Sequence, residues 1–126
     1  MTRTVTITIP GRPPTPNARR HWRKRMRDDA EWKSSARIST LAALPPGWEP
    51  MTRCRMTVEF VVPDRRERDD DNLIAAQKPC LDGIVAGGAI KDDGRRVIVE
   101  REYLAPRYEK GVSATVYTFT ELEDAA

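Results

Sequence analysis

Residues 4–10, TVTITIP, alternate strictly, with Val5, Ile7 and Ile9 on one side and threonines on the other. A period of two predicts a half-buried strand, closed by Pro10. Residues 53–63, RCRMTVEFVVP, repeat the pattern. There Cys54, Met56, Val58, Phe60 and Val62 share one face, the clearest core strand in the chain. Two later runs, VIVEREYL (97–104) and GVSATVYTF (111–119), read as strands joined through APRYEK into a hairpin.

Helical spacing occurs twice. Residues 28–44, DDAEWKSSARISTLAAL, combine good helix formers with an aspartate cap and a narrow stripe of Ile38, Leu41 and Leu44. PPGWEP (45–50) breaks it. The second helix starts near Asp71 or Asn72, either of which can cap it. Leu73, Ala76, Cys80 and Ile84 fall on one face, with Ile74, Leu81 and Val85 beside them. Pro79 removes a backbone donor and predicts a kink, or a break with a restart. Gly87 and Gly88 end the helix. Residues 11–17, GRPPTPN, are loop, and 89–96, AIKDDGRR, are a turn. Residues 18–29 read as a basic loop or as the lead-in to a helix. Fraying is expected after Glu121. The order is strand, helix, strand, helix, strand, strand, without internal repeats. It predicts one α+β domain over 1–126: a small mixed β-sheet with helices packed on it.

The 126 residues suffice for a core without disulfide or zinc. A hydrophobic fraction of 39% against 33% charged residues supports that core and a heavily solvated surface. The net charge of +3 and pI near 9.1 lean mildly toward polyanionic partners. Cys54 and Cys80 form no CxxC pair, and His21 is the only histidine, so a zinc site lacks ligands. Two free thiols in a reducing cytoplasm are expected. MTRTVTITIP is too polar and alternating for a secretion signal, and no apolar run reaches membrane-spanning length. No membrane partner is expected.

The charge distribution says more than its sum. Asp69, Asp70 and Asp71 stand together just after Arg65, Arg66 and Arg68. One aspartate is explained as a helix cap; three adjacent like charges gain nothing for folding. Asp69 and Asp71 are alternate residues and face one way on extended chain, leaving Asp70 as spacer. A second acidic pair, Asp92–Asp93, follows the helix. Converging carboxylates suit hard Mg²⁺ or Mn²⁺, which keep open positions for water and phosphate. Neighbouring lysine or arginine offsets charge developing on phosphate oxygens. A calcium EF-hand loop fails, because the required glycine is missing. Arg19, Arg20, Arg23, Lys24, Arg25 and Arg27 form a basic segment suited to phosphate contacts. Trp22 within it either stacks on an unpaired base or anchors the segment in the core, and the anchor is the preferred expectation. His21 has no partner visible in the sequence.

Residues 61–97, VVPDRRERDDDNLIAAQKPCLDGIVAGGAIKDDGRRV, resemble the RusA-type Holliday-junction resolvases of phages and prophages. TITIPGRPPTPNARRHWR (6–23) is similar to that family's opening strand, proline-rich turn and basic segment. The resemblance implies a small homodimeric Mg²⁺- or Mn²⁺-dependent endonuclease that binds four-way DNA junctions and nicks them in symmetric pairs. It makes Asp69 and Asp71 the acids of D-x-D-N and Asp93 the third metal ligand, with Asp92 as the alternative register. The family prototype has its important lysine four residues after the second acid, where this chain has Ala75. Lys78, in the context K-P-x-x-D-G opposite Asp82, is aligned to it as the catalytic lysine. The alternative is a non-catalytic protein of the same fold that binds branched DNA.

Overall fold

The computed structural model describes residues 2–11, 21–66 and 70–123. The period-two runs form strands β1 (Thr4–Pro10) and β2 (Cys54–Val62), with β3 (Ile98–Tyr103), the two-residue β4 (Arg107–Tyr108) and β5 (Ala114–Glu121) following. Helices are α1 (Trp22–Ala43), α2 (Asp70–Ala75) and α3 (Lys78–Ala86). One mixed sheet results, in the order β1-β5-β2-β3, with β4 also on β2. β5 runs antiparallel to both β1 and β2, whereas β3 and β4 run parallel to β2. The α+β class with a mixed sheet is therefore as the sequence predicts.

The expected hairpin is absent. β3 and β5 lie on opposite edges of β2, where their backbones satisfy its N–H and C=O groups on both sides. Instead of turning back, the chain after β3 continues along β2: Leu104 N donates to Val58 O at 2.9 Å and Glu109 N to Val62 O at 3.0 Å. It reverses only at Gly111, whose φ of +73° disfavours other residues. β2 and β3 are parallel and need a crossover, which α2 and α3 supply.

The core lies between one sheet face and the helices. Ile7, Ile9, Met56, Val58, Phe60, Tyr117 and Phe119 are buried against Leu73, Cys80 and Ile84. Cys54 and Cys80 are free, and burial pushes their thiols up to about 11 and about 12. α1 departs from expectation twice. It begins at Trp22, six residues before Asp28, and its N-cap is His21, whose Nδ1 accepts from Arg23 N at 3.2 Å. Its Ile38 and Leu41 are exposed, and the buried positions are Ala36 and Thr40. The cause is the close crossing with α3. A Cβ on Gly83 would lie 2.2 Å from Lys33 O and 2.7 Å from Ala36 Cβ; one on Gly87 would lie 2.7 Å from Thr40 Cβ. At that separation only small side chains fit, so the large ones turn outward.

Candidate functional site

The crossover begins where β2 ends. Asp64 Oδ1 accepts from Arg66 N at 3.0 Å, turning the chain out of the sheet. α2 begins at Asp70, so Asp71 and Asn72 occupy its first turn. Asp69, with Arg19 and Arg20, lies outside the described residues. Between α2 and α3 the backbone stays helical. Gln77 has φ −84° and ψ −9°, Gln77 N donates to Ile74 O at 3.2 Å, and Leu81 N donates to Gln77 O at 2.9 Å. Pro79 sits in the first turn of α3, where a missing donor is tolerated. The break with a restart is thus the outcome at Pro79. Lys78 and Asp82, four apart, share one side of α3.

Gln77 fixes this elbow. It is buried, its Nε2 donates to Leu73 O at 3.1 Å, and its Oε1 accepts from the Tyr117 hydroxyl on β5. The next residue, Lys78, is thereby set at the surface with its ammonium between two carboxylates. Its Nζ is 2.5 Å from Asp93 Oδ2 and 2.9 Å from Asp82 Oδ1. The turn after α3 therefore folds back onto the start of that helix. Arg101 on β3 also donates to the Asp93 carbonyl oxygen. The Lys78 hydrogen bond holds the Asp93 carboxyl below its usual range, outweighing desolvation. In return, Asp93 and then Asp82 raise the Lys78 ammonium. Asp93 is the more enclosed acid of the pair at 92–93. Asp92 is exposed, with Oδ2 3.0 Å from the position a Cβ on Gly94 would take.

The sequence-predicted residues thus divide. Lys78 and Asp93 are brought together, with Asp82 beside them. Asp71 lies on α2, across the elbow from Lys78 at the start of α3. Among the described residues no group of three His, Cys, Asp or Glu side chains converges. Carboxylate oxygens are the donors a hard divalent cation takes, and at Asp93 one of them, Oδ2, is paired with the Lys78 ammonium.

The basic segment opens α1. Gly83 faces Lys33–Arg37 and Gly87 faces Arg37–Thr40, so α1 and α3 run in the same direction. Lys78 is then level with about Glu31, and residues 22–30 extend past the start of α3 by about 13 Å. Consistent with this, Trp22, Arg23, Lys24, Arg25, Met26 and Arg27 are all exposed. The preferred expectation for Trp22 is overturned: it is 58% exposed and anchors nothing in the core. The direction of α1 puts its basic turns at the end of the molecule where α2 and Lys78 lie.

Four contributors escaped sequence reasoning. Gly83 and Gly87, four apart on one helix face, carried a detectable signal for close helix packing. Gln77 and Arg101 carried none, since a buried glutamine is recognisable only once its partners are known.

No family model matches the chain. A curated protein of Xylella fastidiosa, bearing the name "Uncharacterized protein", is 31% identical over 99 residues. The match covers 75% of this chain and 61% of that relative, so the chain spans about three-fifths of the relative's length.

Proposed function

We propose that the chain is a metal-dependent endonuclease of the RusA type that resolves four-way DNA junctions by paired, symmetric phosphodiester hydrolysis. The observation that supports this reading is the Lys78–Asp93 contact, which joins the lysine and the closing acid pair of the D-x-D-N … K … D-D string. On this reading Asp69, Asp71 and Asp93 hold Mg²⁺ or Mn²⁺, with Asp92 as the alternative register. The ion, when bound, polarises the phosphate and lowers the pKa of a water. Lys78 orients Asp93 and presents positive charge to the phosphate oxygens. Arg19, Arg20, Arg23, Lys24 and Arg25 bind backbone phosphates of the arms. Symmetric nicks require two sites related by a two-fold axis, hence a homodimer. Among the described residues no helix is long and apolar enough to cross a membrane. A cytoplasmic location belongs to the proposal.

The alternative is a non-catalytic protein of the same fold that binds branched DNA. Incubating the protein with a synthetic four-way junction, with and without Mg²⁺, separates the readings on a denaturing gel. Paired nicks only with metal support the nuclease. Metal-independent binding without nicks in Mg²⁺ or Mn²⁺ supports the alternative, and absence of junction binding removes both. Light scattering at micromolar concentration tests the dimer, which an active monomer would contradict.

A further inference from the structure

The first turns of α1 break two local rules. A helix N-terminus carries partial positive charge and favours acids. Here the first turn holds no acid, and Arg23, Lys24, Arg25 and Arg27 crowd the first two turns. The second anomaly is apolar. Trp22 and Met26 are 58% and 64% exposed, one turn apart on the same side of the helix. The Arg23 guanidinium lies over the Trp22 ring, 5.2 Å from its centroid. A helix end that sets cations against its own dipole and leaves an indole in water gains most from a polyanion with exposed ring faces.

We infer that Trp22 and Met26 form a stacking ridge for unpaired nucleic-acid bases, with Arg23, Lys24, Arg25 and Arg27 on the flanking phosphates. The inference rests on the DNA-binding reading above and deepens it. The ridge selects branch points and single-stranded stretches over closed duplex, because only unstacked bases offer a free face to the indole. Charge complementarity argues against a second copy of this helix end, since pairing two would oppose like charges. A membrane surface fits less well. A helix lying in a lipid interface needs a long apolar face, and beyond Met26 this side continues with Asp29, Ala30 and Lys33.

The test measures affinity without divalent metal for oligo-dT, a blunt duplex of equal length and a four-way junction. Trp22→Ala is expected to lose about tenfold or more on oligo-dT and to leave duplex affinity unchanged. Trp22→Phe should retain most of the affinity. The Trp22→Ala salt slope should match wild type, whereas Lys24→Ala/Arg25→Ala should flatten the slope on every substrate. Because Trp22 is exposed, an unchanged melting temperature excludes misfolding. Equal loss on duplex, or no loss, overturns the ridge. So does a Trp22→Ala defect confined to phosphatidylglycerol/phosphatidylcholine vesicles, or a loss of self-association without a loss of DNA affinity. Wild-type protein that binds none of the three DNAs removes the DNA reading itself. Wild-type binding that Trp22→Ala leaves intact removes only the ridge.

Discussion

The Lys78 ammonium lies 2.5 Å from Asp93 Oδ2, bridging two residues fifteen apart in the chain. The same ammonium reaches Asp82 one turn along α3, so the helix start, the helix side and the following turn share one charge centre. Such an arrangement keeps a carboxylate ionised and oriented.

Neutralising the acids separates chemistry from binding. Asp71→Asn and Asp93→Asn are each expected to abolish Mg²⁺-dependent junction cleavage while junction affinity stays equal or rises. Losing a negative charge weakens metal binding and not phosphate attraction. Asp70→Asn, the spacer position, should be far milder. Gel-shift and cleavage assays on the same samples check this. Full cleavage by Asp71→Asn would remove it from the metal set.

Helix packing gives a sharper contrast. Gly83→Ala places a methyl 2.2 Å from Lys33 O, a backbone atom that cannot swing aside. A loss of about 1–3 kcal/mol or more in urea unfolding is expected, as for overpacked cores. Ile38→Ala and Leu41→Ala, at exposed positions, should stay within about 0.5 kcal/mol of wild type. The reverse ranking would mean that α1 docks through its large residues.

That contrast marks how far the sequence was legible. Strand periodicity located β1 and β2 to within a residue because one face of each is buried, and alternation records burial directly. The α1 face was misread because a stripe of Ile38 and Leu41 resembles a core face, whereas the actual contact uses Ala36, Thr40 and two glycines, small residues with little hydropathy signal. The β3–β5 hairpin failed for a topological reason: adjacency in sequence does not reveal that β2 separates them. In the site, residue types pointed to the acidic pair Asp92–Asp93, and the family resemblance singled out Lys78 and Asp93. The bond that fixes the residue before Lys78, Gln77 to Tyr117, is a pairing across forty residues that no local pattern records.

Removing the Tyr117–Gln77 bond tests that pairing. Burial raises the Tyr117 phenol well above its ordinary value, so it remains a donor throughout the neutral range. Tyr117→Phe leaves Gln77 Oε1 without this partner inside the core and should cost about 1–3 kcal/mol. Adding Gln77→Leu removes the orphaned group and should recover part of the loss, giving a nonzero coupling in a double-mutant cycle. Simple additivity of the two substitutions would mean that the contact does not hold the elbow.

The last prediction concerns acid stability. Arg3 fastens the beginning of β1 to the end of β5. Its Nη2 is 2.6 Å from Glu121 Oε2, its Nη1 donates to Glu49 O at 2.8 Å, and its guanidinium lies 4.3 Å from the Trp48 ring centroid. The Arg3 hydrogen bond lowers the Glu121 carboxyl, against the opposing effect of desolvation. A carboxylate with a depressed folded pKa contributes stability that is fully present above the unfolded value of about 4.3 and fades as pH falls through the folded value. Both side chains keep contact with water, so the pair contributes at most about 1 kcal/mol. Glu121→Gln should therefore be slightly less stable than wild type in urea at pH 7. The difference should shrink toward zero at acid pH, once Glu121 is protonated in both folded and unfolded wild-type protein. Arg3→Lys separates charge from shape: the lysine preserves the sign but loses the second hydrogen bond and the flat contact with Trp48. A Glu121→Gln deficit unchanged between pH 7 and acid pH would show that the glutamate acts through packing, with the ion pair as a bystander.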